Sequence, residues 1–272
     1  MWCPFPFWLF FKKESKERKA EKESFKIQFK KNLDKILPIF HGEFGYLPEF
    51  EVDYLSEFQK KSMKEPQEVA MSFSFSSLKY YLLYDHDFFK ALPSWGSCLY
   101  GISHEILHFY QLNVLREKNP GIFVSSLSLS SVSNYQKWME GLGELYNLKI
   151  LHDFYINFER LNLSLGLGEI CDKKDIKKEL IKALSYYRAL RDLLDDKFRN
   201  EQLILPFELD AEIELDSKCP WPARIEKFKY MQPYLEGMII LGKLIQKRGV
   251  SLKDILSQPL TDYQMDKLKS EL

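Results

Sequence analysis

Between Cys98 and about Arg116, the residues Leu99, Ile102, Ile106, Leu107 and Tyr110 recur at helical spacing, so this stretch is committed to a helix with one apolar side. Two of the chain's five histidines, His104 and His108, fall inside it, four residues apart, with Glu105 beside the first. On an α-helix, residues four apart share a face with about 6 Å of rise between them, so both imidazoles can aim a nitrogen at one ion. Glu105, about 100° further round, would not ligate but would stand close enough to take a proton from an attacking water.

His104-Glu105-Ile106-Leu107-His108 is the H-E-x-x-H arrangement of zinc-dependent peptidases. A catalytic zinc needs three protein ligands and one open position, so the motif requires a third ligand elsewhere. The metzincin extension would need glycine at 111 and histidine at 114; the chain has Gln111 and Val114, which excludes that family. Downstream, "NYQKWMEGLGELYNLKILHDFY" offers Glu140 and Glu144 on one face of a second helix.

With "WMEGLGELY" added to the first motif, the chain resembles the gluzincins, the thermolysin-like metallopeptidases in which a glutamate on a following helix completes the site. The resemblance implies His104, His108 and Glu140 as ligands to Zn2+ and Glu105 as general base. It also implies Glu144 as the acidic residue that supports a ligand histidine. It covers about Cys98 to Asp153 and departs in detail. Trp138 stands two rather than three residues before the glutamate, Gly143 stands where alanine is commoner, and Tyr146 falls one place late. A donor to the developing oxyanion is also expected, with Tyr146, Tyr230, Tyr234 and His152 as candidates and Tyr234 favoured because it opens the last long helix. His86, flanked by acids in "YDHDFF", reads as a surface histidine in a turn, with a second metal site as the alternative.

The rest of the chain supplies an α+β, zincin-like frame: a small mixed sheet carrying the motif helix, then a mostly helical C-terminal half. In "EVAMSFSFSS", Val69, Met71, Phe73 and Phe75 alternate with small residues as in a half-buried strand, and "LKYYLLYD" continues or pairs with it. In gluzincins such a strand, just before the motif helix, pairs with extended substrate; an ordinary sheet strand has the same pattern. "EKNPGIFVSSLSLSSVS" reads as a long loop, and Ser133-x-x-Gln136 as a capping box opening a helix that runs toward Leu161. Further helices are expected over 172–199 and 225–247, with two short ones at the end. The expected units are 1–32, an aromatic and basic segment; 33–118, which holds the sheet and the motif helix; and 119–272, which is helical and carries the third ligand.

Thirty-nine basic against thirty-nine acidic residues give no net charge, so nothing global points to a nucleic-acid partner. Cys3, Cys98, Cys171 and Cys219 are scattered, without a C-x-x-C pair, which favours reduced thiols and a cytoplasmic setting. The opening "MWCPFPFWLFFKK" is too short to cross a bilayer, and its lysines follow the apolar run rather than precede it as in a secretory signal. Aromatics followed by a basic helix could give peripheral contact with an anionic membrane through residues 1–32; an arm packed on the body or a disordered tail are the plainer alternatives, and the charge run, which also contains glutamates, reads most simply as a solvated helix face. The functional expectation is a zinc-dependent hydrolase acting on a peptide or protein substrate. The alternatives are a non-catalytic zinc-binding scaffold of the same shape and a membrane-surface interaction protein in which the two histidines are incidental.

Overall fold

A computed structural model describes residues 15–56, 69–74, 79–118, 132–194, 201–209, 213 and 225–272. The aromatic opening segment, the serine-rich stretch 119–131, Cys3 and Cys219 lie outside the described residues. Helix α1 (Lys16–Leu33) starts at Ser15, whose hydroxyl accepts the Arg18 N–H, and is followed by α2 (Leu37–Phe44). Three strands come next: β1 (Glu51–Tyr54), β2 (Val69–Ser74) and β3 (Lys79–Tyr84). Their order is β1-β3-β2, with β1 parallel and β2 antiparallel to the central β3.

Alternation along β3 divides its side chains between two faces. Tyr80, Leu82 and Tyr84 join Val52 in the main core, whereas Leu83 packs with Leu55 and Ala70 in a small cluster on the other side. Helix α1 lies on the main-core face: Phe29 stacks on Tyr84 with ring centroids 4.0 Å apart and meets Trp95 at 4.7 Å. Lys26 pairs with Asp53 at 3.1 Å, tying the same helix to β1.

Helix α3 (His86–Ala91) is capped by Asp85. His86 at its start is buried, edge-on to Phe25 and 3.0 Å from Asp87 Oδ1, so it is an aromatic core residue rather than the surface turn histidine the acid-flanked sequence suggests. A 3-10 turn, Trp95–Cys98, then leads into α4 (Leu99–Lys118), the motif helix. Cys98 in that turn and Cys171 are both buried.

The second half is helical. Helix α5 (Gln136–Ile156) begins after a 3-10 turn over Val132–Tyr135, so its N-cap is Tyr135, which makes no side-chain cap hydrogen bond, rather than the expected Ser133. One of its orphan N–H groups is satisfied from far away: the Lys137 amide donates to Asp262 Oδ1 at 2.9 Å. The helix ends at Asn157, whose side-chain amide donates to the Asp153 carbonyl, and α6 (Phe158–Leu165) takes over until Gly166 turns left-handed at φ 66°. Then come α7 (Lys173–Leu194) and α8 (Ile225–Arg248), followed by α9 (Leu252–Ser257) and α10 (Asp262–Glu271), each with a complete capping box. None of the helices among the described residues is long and apolar enough to cross a membrane. The architecture is thus a mostly helical α+β arrangement with a small mixed sheet.

Two glycines set the closest approach between helices. A Cβ on Gly141 of α5 would lie 2.4 Å from the Cα of Gly237 on α8, and one on Gly237 would lie 2.0 Å from the Lys137 carbonyl oxygen. No side chain fits there, so the two backbones touch. Next to this crossing, Lys137 Nζ reaches Glu236 at 3.0 Å and Asp266 at 2.5 Å, closing a charged bridge across α5, α8 and α10.

Gly141→Ala should therefore destabilise the fold by at least the roughly 1–3 kcal/mol of an overpacked core, read as a lowered midpoint in thermal or urea unfolding. Gly143→Ala, whose Cβ would sit at an ordinary 3.6 Å from its nearest neighbours, should leave that midpoint almost unchanged.

Burial pushes the Glu236 carboxyl up, but the Gln232 amide and the Lys137 ammonium pull it below the ordinary range overall. A carboxylate with a depressed folded-state pKa stabilises above its unfolded value, about 4.3 for glutamate, and loses that contribution as pH falls through the folded value. Urea midpoints should drop as pH is lowered from about 5 toward 3, and Glu236→Gln should flatten part of that drop.

Candidate metal centre

Helices α4 and α5 carry the cluster between them. His104 and His108 sit one turn apart on α4, and Glu140 faces them from the first turns of α5, immediately before the Gly141 crossing. The Glu140 Oε2 atom is 3.4 Å from His104 Nε2 and 3.5 Å from His108 Nε2. Ligand atoms on a tetrahedral zinc, about 2.0–2.2 Å from the ion, stand about 3.3–3.5 Å apart, so both of these distances match one edge of the tetrahedron. The two Nε2 atoms are 2.8 Å apart, within about half an ångström of that edge. The donor set of two imidazoles and a carboxylate is one that zinc accepts, and it fits a single ion.

Each imidazole has a polar side chain behind it. His108 Nδ1 lies 2.8 Å from Gln111 Oε1, and the Gln111 amide nitrogen donates to the Met139 carbonyl at 2.7 Å. His104 Nδ1 lies 3.0 Å from Glu144 Oε1. The other oxygen of Glu144 accepts from the Tyr100 hydroxyl, which is itself 3.2 Å from the Tyr187 hydroxyl on α7. Three helices therefore converge on the rings: α4 supplies them, α5 supplies their acidic partners, and α7 closes the back.

Burial by itself would lower the pKa of His108, but the facing Glu140 carboxylate overrides it and lifts the value to about 9, with Glu105 adding to the effect. Burial likewise pushes Glu140 up, and the two imidazoles more than reverse it, holding its carboxyl far below the usual carboxylate range. For Glu144 burial wins: it drives the carboxyl up to about 8, with Tyr187 and Asn147 pulling only partly back. The cluster is deep but not sealed, since the His104 and Glu140 side chains keep 13% and 18% of their surface while His108 keeps 8%.

Tyr234 on α8 is buried, its ring nearly parallel to that of His104, with centroids 6.3 Å apart and 12° between planes. It lies one turn before Gly237, so the glycine crossing that sets Glu140 also sets Tyr234. Of the other oxyanion candidates, Tyr146 is buried against Phe44 and His152 stacks on Phe207 at 4.3 Å, while the side chain of Tyr230 lies outside the described residues. Glu105 is half-buried on α4, its charge felt by His108.

Gln111, Tyr100 and Tyr187 are the site residues that sequence reasoning passes over. Gln111 had a readable signal, a polar residue three after His108 on an otherwise apolar face; Tyr100 is four before His104 in the same way. Tyr187 has none, because only the packing of α7 brings it to Glu144. Gly143, a departure from the gluzincin pattern, faces both rings: a Cβ there would lie 3.6 Å from the Cε1 atoms of His104 and His108.

Comparison of the chain with protein-family models, with curated proteins and with solved structures returns no match.

The geometry predicts one metal ion per chain, measured by elemental analysis of protein purified without added metal. Glu140→Ala should weaken metal retention by more than the 10–100-fold typical of losing a supporting residue, because it removes one of the three candidate donors outright.

Proposed function

We propose that the chain is a zinc-dependent metallopeptidase of gluzincin type with a zincin-like fold. The observation that carries this reading is the convergence of His104, His108 and Glu140 on one point, with the Glu140 oxygen at tetrahedral-edge distance from both ring nitrogens. Bound there, zinc supplies Lewis acidity, polarising a peptide carbonyl and making a water acidic near neutral pH.

The chain's own residues then divide the work. Glu105, adjacent to His104 on the same helix turn, accepts the proton of the attacking water on its carboxylate as the new C–O bond forms. When the C–N bond breaks, it returns that proton to the leaving amine nitrogen. The Tyr234 hydroxyl donates to the carbonyl oxygen as that oxygen becomes negative, a role its placement beside His104 supports. Glu144, 3.0 Å behind His104 Nδ1, is placed to orient that ring, and a cation at the cluster favours the ionised carboxylate needed for that.

Strand β2, the last strand of the described sheet on one side, is the element on which an extended peptide would pair through backbone hydrogen bonds. Such pairing grips main chain rather than particular side chains, so the substrate class is peptide or unfolded protein segment.

Glu105→Gln separates this reading from that of a zinc-holding scaffold. It should bind zinc as the wild type does and abolish cleavage of a mixed, fluorogenic peptide library. Tyr234→Phe should keep zinc and substrate affinity and lower kcat about 10²- to 10³-fold, the usual cost of one oxyanion donor. A wild-type protein that binds zinc but cleaves no library member under any condition would sink the peptidase reading.

A further inference from the structure

The Gln111 side chain touches two elements of the centre at once, and its chemistry allows only one arrangement. The Met139 carbonyl, 2.7 Å away, has no hydrogen to give, so the NH2 end of the amide must face it. The Oε1 end therefore faces His108 Nδ1 at 2.8 Å, and an amide oxygen only accepts. It follows that Nδ1 is protonated, so in the neutral ring that a metal ion requires, Nε2 is the nitrogen that gives its lone pair on the side of His104 and Glu140.

From this geometry we infer that Gln111 is a positioning residue: it fixes the His108 tautomer and, through the Met139 carbonyl, sets the spacing between the motif helix and the third-ligand helix. Met139 immediately precedes Glu140, so one side chain indexes the second histidine and the glutamate to each other. Gln111 is itself buried, 1% exposed, so water cannot take over either bond without opening the core. The inference rests on the zinc reading above. It goes beyond that reading by assigning a role to the residue at which the chain departs from the metzincin pattern.

Two substitutions at this position distinguish tautomer control from simple packing. Gln111→Leu keeps the approximate volume but offers nothing to Nδ1–H or to the Met139 carbonyl. Gln111→Glu restores an acceptor for Nδ1–H, in the manner of carboxylate–histidine–zinc triads, while giving up the bond to Met139. Zinc affinity would be measured by chelator competition on the purified full chain, with urea unfolding of each variant recorded in parallel.

The expected result is a loss of about 10- to 100-fold in zinc affinity for Gln111→Leu and retention within a few-fold for Gln111→Glu, even if both variants unfold at lower urea. Equal loss in both variants would overturn tautomer control, since packing would then explain the effect. Wild-type affinity in Gln111→Leu would overturn the inference altogether. A wild type that fails to bind zinc would instead remove the reading on which it rests, and Glu140→Ala run alongside makes that case recognisable.

Discussion

The contact of α5 with α8 at Gly141 and Gly237 is the constraint on which the site depends. Helices normally pack with their axes 8–10 Å apart because side chains fill the space; here backbone meets backbone. The crossing fixes Glu140, one residue before Gly141, and Tyr234, one turn before Gly237, relative to each other and to the motif helix. The Lys137 bridge to Glu236 and Asp266, and the Asp262 carboxylate on the Lys137 amide, hold the same end of α5 from the side. A helix terminus held by distant carboxylates is rigid only once the whole C-terminal half is assembled.

Burying two imidazoles and two carboxylates is costly unless each is answered. The structure answers Glu140 with two rings, His108 with Gln111 behind and Glu140 in front, and Glu144 with the phenols of Tyr100 and Tyr187 close by. This arrangement explains the opposite fates of the two glutamates. Burial raises both; only Glu140 faces imidazoles that outweigh it, so the two carboxyls one turn apart on α5 end on opposite sides of the ordinary value.

The sheet half acts as a foundation. The aromatic stack of Phe29 on Tyr84, with Phe89 and Trp95 against it, joins α1, β3, α3 and the turn that leads into the motif helix. Gly96 in that turn packs so tightly on α7 that a Cβ would sit 2.4 Å from the Asp175 Cβ. The start of α4, and with it the reach of Tyr100 to Glu144, is therefore positioned from both halves of the molecule.

Much of this was legible in the sequence. Four-residue spacing on an amphipathic pattern places His104 and His108 on one face whatever the surroundings, and Gly249 marks the end of α8, at φ 63°, because few other residues adopt that conformation. The resemblance, rather than spacing, singled out Glu140, and packing brought it to the rings. What local pattern could not fix was anything decided by distant chain. The helix expected to open at Ser133 has its N-cap at Tyr135 instead, and the Lys137 amide in its first turn is met by Asp262, more than a hundred residues on, because a tertiary carboxylate can satisfy a helix end as well as a local side chain can. His86, polar by its neighbours, was buried by Phe25 of α1. The sequence by itself determined which residue types could hold an ion and on which helices. Only the tertiary structure decided that they meet, because two glycines with no local reason to be opposite each other let α5 and α8 touch.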